Sequence, residues 1–207
     1  PRPEPFQQIA VLGLGTGTLS CYRQPGQTWT FFEIDPVVVQ IASDTDHFHY
    51  MAECAGNSEI VLGDGRLSLE KVPDDRFDLL LMDAFASDSV PVHLITQEAL
   101  DLYMQKLTPN GLVAFNISNN YMNFIPVLVK LAQSRELSIR VNQYRTNESR
   151  QFSSYKFGSD WILMSRTPEA LQFLDDETGW KPIKAETDQR LWTDDYSNII
   201  VVLKWLQ

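Results

Sequence analysis

An apolar run, Ile9-Ala10-Val11-Leu12, breaks directly into Gly13-Leu14-Gly15-Thr16-Gly17-Thr18. The pattern reads as a buried strand that ends in a glycine turn and then opens a helix. It constrains the chain more than any other stretch. Glycines at 13, 15 and 17 allow a tight turn and let backbone N–H groups approach a ligand with no side chain between them. By itself such a loop suits a dinucleotide, a nucleoside or merely close strand-to-helix packing, about equally.

The segments that follow alternate in the same way. Trp29 to Ile34 forms a second strand, closing at Glu33 and Asp35, with Pro36 placed to open the next helix. Ile60-Val61-Leu62 is a third strand before Gly63-Asp64-Gly65, and Phe77 to Met82 a fourth, ending at Asp83. Leu100, Tyr103, Met104 and Leu107 have helical spacing within Thr96 to Leu107, which Pro109-Asn110-Gly111 stops. A fifth strand over Leu112 to Ile117, a helix over Phe124 to Ala132, a sixth strand over Ser138 to Tyr144 and a seventh over Trp161 to Met164 complete the series. Strands and helices alternating at this spacing predict an α/β fold, with a mostly parallel seven-stranded sheet and helices on both faces. With 207 residues, 43% of them hydrophobic, the chain reads as one domain, residues 1–207. Thr146 to Ser159 reads as a polar loop and Thr167 to Asp176 as a short helix. Ile199 to Leu203 suits either an extra strand or a packed tail.

Charge and composition narrow the partners. A formal net charge of −10 disfavours nonspecific attraction to nucleic acid and would concentrate a cationic substrate. No stretch approaches the roughly 18 apolar residues of a membrane-spanning helix, so direct membrane insertion of this chain is not expected. Cys21 and Cys54 show neither metal-ligand spacing nor a disulfide framework, which predicts a reducing, cytoplasmic setting. His47, His49 and His93 fall in no metal-ligand pattern, and no metal is expected. The start at Pro1, in a short proline-rich run, reads as a piece of a longer polypeptide.

In an open parallel sheet, ligands bind outside the carboxyl ends of strands where strand order reverses. Gly13, Glu33, Asp64 and Asp83 all sit at such ends. An ionised Glu33 can accept both hydroxyl hydrogens of a ribose diol. Asp64, flanked by Gly63 and Gly65, can accept from an exocyclic adenine amine, or it can cap a helix, and the two roles are compatible. Asp83 can touch a substrate, or it can cap the following turn.

Together, Gly13-Leu14-Gly15-Thr16-Gly17, Phe32-Glu33-Ile34-Asp35, Gly63-Asp64-Gly65 and Met82-Asp83 resemble, in order and spacing, the adenosyl-binding motifs of the spermidine synthase-like (polyamine aminopropyltransferase) family. That family lies within the S-adenosylmethionine-dependent, Rossmann-like superfamily. The resemblance runs from about Ile9 to Ile117. It implies cofactor binding by Gly13, Gly15, Gly17, Glu33, Asp64 and Gly65, amine activation by Asp83, and transfer of an aminopropyl group from decarboxylated S-adenosylmethionine to a polyamine such as putrescine. Two positions depart from the family pattern. Thr16 stands where the glycine loop usually carries an aspartate, and Ala84-Phe85-Ala86-Ser87-Asp88 replaces Ser-Ser-Asp-Pro, so that Asp88 would supply a second substrate-binding carboxylate from a displaced position. The family's small N-terminal β-domain is not among these residues. The Asp83 to Thr96 and Trp192 to Ser197 stretches look more like spermidine synthase-like domains fused behind membrane transporter segments, the later stretch serving as a surface turn or as a lid. A homodimer, or fusion to another segment, stays open. So do a methyltransferase using S-adenosylmethionine itself and a nucleoside-binding domain without catalysis.

Overall fold

Four apolar runs that end in glycine or a carboxylate form the parallel strands on which the fold rests. In the computed structural model, which describes residues 6–85, 90–145, 158–183 and 188–206, these are β1 (Gln8–Leu12), β2 (Thr28–Glu33), β3 (Glu59–Leu62) and β4 (Phe77–Met82). Further along come β5 (Leu107–Asn116), β6 (Ser138–Tyr144), β7 (Ser159–Ser165) and β8 (Trp180–Pro182). The α-helices are α1 (Pro36–Ser43), α2 (Tyr50–Cys54), α3 (Gly65–Leu69), α4 (Gln97–Lys106) and α5 (Ile125–Ser134). Strand order is β3-β2-β1-β4-β5-β7-β6-β8. β1 pairs in parallel with both β2 and β4, and β2 in parallel with β3. β6 runs antiparallel to β7 and β8. The expected α/β fold is therefore present with eight strands rather than seven. The additional β8 is three residues long, Trp-Lys-Pro, too short to leave a periodic signal.

The chain groups into two compact units. One comprises, among the described residues, 6–85 and 101–113. Ile9 to Leu12 are all buried, as expected of a strand covered on both faces. Ile9, Val11, Leu14, Trp29, Phe31 and Ala42 form the core cluster of this unit. Asp35 caps α1, accepting from the Val37 N–H at 2.8 Å, and Pro36 occupies the first turn, where its missing N–H costs nothing. The helix expected after the glycine loop is a 3-10 turn, Thr18–Tyr22, without a side-chain cap. Here Cys21 and Cys54 are joined in a disulfide, with Cα atoms 4.7 Å apart and a sequence separation of 33. This corrects the expectation of two unpaired thiols and removes the basis for a reducing compartment. The pairing is set by the packing of Thr18–Tyr22 on α2, which no cysteine spacing announces.

The other unit comprises, among the described residues, 90–100, 114–145, 158–183 and 188–206. Its β6 and β7 register runs from Ser138 opposite Ser165 to Tyr144 opposite Ser159. Trp192 is fully buried and meets Phe124 edge-on, with ring centroids 6.3 Å apart. Thr193 and Tyr196 pair through two backbone hydrogen bonds of 2.9 and 3.1 Å, so Trp192 to Ser197 is a turn with Trp192 plugging the core. Residues Ile199–Val202 form a 3-10 turn and not a strand, with Val202 buried. Strand β5 begins at Leu107 and runs through Pro109-Asn110-Gly111, which was expected to be a stop between helix and strand. Most of the predicted loop at 146–159 lies outside the described residues; Ser159 opens β7. No helix among the described residues is long and apolar enough to cross a membrane.

Candidate functional site

Strand order reverses at β1, since the chain first adds β2 and β3 on one side and then β4 on the other. The crevice beyond the β1 and β4 carboxyl ends is thus the switch point where ligands bind in open α/β sheets. Three hydrogen bonds extend the ladder past the last strand residues and tie the corners together. The Gly13 N–H donates to the Phe32 carbonyl at 2.8 Å, the Gly63 N–H to the Glu33 carbonyl at 2.8 Å, and the Asp83 N–H to the Leu12 carbonyl at 2.9 Å. Gly13, Glu33, Asp64 and Asp83 are consequently carried at one end of four neighbouring strands.

The glycines do separate jobs. Gly13 has φ of +102°, and a Cβ there would fall on the carbonyl of Asp83, so only glycine lets the loop lie against the end of β4. Gly17, with φ of +84°, packs on α2, where an added Cβ would meet the Met51 side chain at 2.7 Å. Gly65 opens α3 against Leu12, whose side chain would be 2.9 Å from a Cβ at that position. Gly15, with φ of +54°, has open space where a side chain would stand, and its residue is exposed. A ligand could approach the backbone there.

Glu33 is buried and fastens the loop to the end of β2. Its Oε2 accepts from the Leu14 N–H at 3.0 Å and its Oε1 from the Asp35 N–H at 2.9 Å. A carboxylate has about four acceptor sites, so the two bonds leave capacity for a diol. Asp64 caps α3: its Oδ1 accepts from the Leu67 N–H at 2.9 Å. The structural alternative for Asp64 is thus realised, without removing its capacity to accept from a ligand. Asp83 is partly buried at the end of β4. Asp88 lies outside the described residues. Thr16, in place of a loop carboxylate, lies with its Oγ1 3.2 Å from that of Thr18.

Sequence reasoning passed over three exposed apolar side chains on residues adjoining these carboxylates. Ile34 follows Glu33, Leu62 is its register partner on β3, and Leu67 donates the N–H that Asp64 receives; they are 66%, 58% and 57% exposed. The available signal was Ile34 alone, an apolar residue directly after a strand-end carboxylate, where a turn is usually polar. Such surface suits the face of a planar base.

No protein-family model matches the chain. Over 121 residues it is 31% identical to a polyamine aminopropyltransferase of Vibrio vulnificus, a match covering 56% of this chain and 38% of that protein. The chain therefore spans well under half of that relative's length. Among solved structures, a probable spermidine synthase from Corynebacterium glutamicum superposes with a TM-score of 0.60 at 17% identity, over 89% of this chain and 73% of the other. Human methyltransferase-like protein 13, in complex with SAH, superposes with a TM-score of 0.56 at 17% identity, over 86% of each chain. The chain thus has the Rossmann-like fold shared by spermidine synthases and S-adenosylmethionine-dependent methyltransferases, and its sequence resembles that of a polyamine aminopropyltransferase.

Proposed function

We propose that the chain is a transferase domain of spermidine synthase type, binding an adenosyl sulfonium donor at the carboxyl ends of β1 to β4 and passing its aminopropyl group to a polyamine. The observation that carries this is the tying of Gly13, Glu33, Asp64 and Asp83 into one sheet edge by the three ladder bonds. In this reading Glu33 receives the ribose hydroxyls, Asp64 the adenine amine, Ile34, Leu62 and Leu67 offer apolar surface to the base, and Gly13, Gly15, Gly17 and Gly65 let the donor approach the backbone. Asp83 orients the acceptor ammonium and takes its proton. The amine nitrogen then forms a bond to the methylene beside the sulfonium, the carbon–sulfur bond breaks, and its electron pair leaves with neutral methylthioadenosine. Holding nucleophile and carbon in line supplies a large part of the acceleration. Asp88 is proposed as a second contact to the polyamine. Residues 1–207 are proposed as one domain, a reading supported by β5, a strand divided between the two compact units.

Methyl transfer from S-adenosylmethionine is the second reading, favoured by Thr16, which lacks the loop carboxylate that would face a donor's amine end. Calorimetry with decarboxylated S-adenosylmethionine, S-adenosylmethionine and methylthioadenosine separates the two, since preference for the carboxylated donor transfers the assignment to methylation. Asp64→Ala should weaken methylthioadenosine binding by roughly 1–3 kcal/mol. Glu33→Ala should weaken it more, because the Leu14 and Asp35 N–H groups lose their acceptor as well. Asp83→Asn should lower turnover on the order of a hundredfold with less effect on nucleoside affinity. Unchanged turnover in folded Asp83→Asn would remove that residue's role, and absence of transfer by the parent protein would leave only a nucleoside-binding domain.

A further inference from the structure

The glycine loop is followed by very little helix. Thr18–Tyr22 is a single 3-10 turn with no side-chain cap, and Ser20 is its one buried residue. Its partner, α2, is five residues long and has no buried residue. Segments this short do not hold a helical shape unaided. Here each is fixed by the other. The Ser20 hydroxyl lies 2.6 Å from the Gly17 carbonyl and 3.1 Å from the Tyr50 carbonyl, within reach of both as donor. The Arg23 Nε–H donates to the Cys54 carbonyl at 3.3 Å. The one covalent link is Cys21–Cys54. Gly17, the residue before the 3-10 turn, rests on Met51 of α2, so displacement of the turn from α2 acts on the glycine loop within four residues of Cys21.

We propose that Cys21–Cys54 is a redox-sensitive clamp on the nucleotide loop, holding Gly15 to Gly17 in binding shape when oxidised and releasing them when reduced. Cys21 is exposed and Cys54 is half-buried, so an incoming thiolate can reach the bond. The reductant is a dithiol. One of its thiolates attacks Cys21 Sγ, the Cys21–Cys54 bond breaks and Cys54 leaves as thiolate, to be protonated. The second thiol of the reductant then displaces Cys21 from the mixed disulfide. The protein gains two electrons and two protons, and the reductant becomes a disulfide. Reduction removes the covalent member of the clamp and leaves the Ser20 and Arg23 bonds, so the outcome is a looser loop in a folded domain.

The ligand readout rests on the adenosyl-binding reading above; the loop readout does not. Amide hydrogen exchange and methylthioadenosine calorimetry are measured on the oxidised protein, on the protein reduced with dithiothreitol, and on Cys21→Ser. Reduction should speed exchange across residues 14–20 by about tenfold or more and weaken methylthioadenosine binding by about fivefold or more, with β1 and β4 amides unchanged. Reoxidation should restore both. Unchanged exchange at residues 14–20 overturns the clamp. So does loss of protection throughout β1 to β4, which would make the disulfide a global staple. If neither redox state binds methylthioadenosine, the adenosyl reading fails while faster loop exchange still upholds the clamp. If Cys21→Ser does not fold, the reduced parent protein decides.

Discussion

Two polar anchors hold the two units, and they differ in reach. Around Glu33, one carboxylate receives the Leu14 and Asp35 N–H groups, so everything it fixes lies within about twenty residues of chain. In the other unit, the Thr96 hydroxyl donates to Asp194 at 2.7 Å and the Asp194 N–H donates to Glu98 at 2.9 Å, joining segments nearly a hundred residues apart around buried Trp192. Thr96 also caps the start of α4, accepting from the Ala99 N–H at 3.2 Å. The local anchor shapes a corner where a ligand can bind. The long-range anchor closes a core. Damage to the first should therefore register mainly in binding, and damage to the second mainly in stability.

The largest effect is expected at the long-range anchor. Trp192→Ala removes a fully buried indole that packs edge-on against Phe124 and should cost about 3–5 kcal/mol by denaturant unfolding. Trp192→Phe sharpens the comparison. The buried Nε1–H of Trp192 has no hydrogen-bond partner among the described residues. An unsatisfied donor carries a desolvation penalty of about 1–3 kcal/mol, which phenylalanine avoids while losing some volume. Its net cost should be about 1–2 kcal/mol. Equal losses for the two variants would show that the indole N–H is not a liability.

Next comes Gly13→Ala at the local anchor. The residue would have to keep φ near +102° while its Cβ collided with the Asp83 carbonyl. Strain of this kind costs about 1–3 kcal/mol and cannot be relieved without separating the loop from the end of β4. The variant should lose methylthioadenosine affinity out of proportion to its fall in stability, the reverse of Trp192→Ala. A folded Gly13→Ala protein that binds at parental affinity would break the contrast.

The same difference in reach decides what could be read from the sequence. The β4 and β6 boundaries agree residue for residue with expectation, and β1 to β3 within two residues, because hydrophobic runs closed by glycine, proline or carboxylates are local signals. The corners Gly13, Glu33, Asp64 and Asp83 were legible as strand ends for that reason, as was the helix cap at Asp64. β8, the early start of β5, and the Cys21–Cys54 bond were not. The first and last of these depend on a partner brought in by the fold: β6 for β8, α2 for Cys21. For Trp192 to Ser197, a surface turn with Trp192 plugging the core was legible only as one of two readings, the other a lid, because the contact that decides it is with Phe124, almost seventy residues earlier.

The smallest expected effect tests whether stability and binding separate inside a single unit. Asp74 accepts from Lys106 at 2.7 Å and from Gln105 at 2.9 Å, linking the turn before β4 to the end of α4 in the unit that carries the glycine loop. Lys106 is buried, whereas the Asp74 side chain is about half exposed. The hydrogen bond from Lys106, followed by that from Gln105, holds the Asp74 carboxyl below its ordinary value of 3.8. A carboxylate with a depressed folded pKa binds fewer protons in the folded state than in the unfolded state, so stability rises with pH across that interval. The contribution is complete above the unfolded value, about pH 4, and is lost as pH falls through the lower folded value. Asp74→Asn should lower stability at neutral pH and flatten the decline below pH 4, since the amide has no proton to gain. Methylthioadenosine affinity should stay at the parental level, because Asp74 touches none of the loop, Glu33 or Asp64. An acid limb as steep in Asp74→Asn as in the parent would assign the acid sensitivity to other carboxylates, and a matching loss of affinity would mean that the two functions of this unit are not separable.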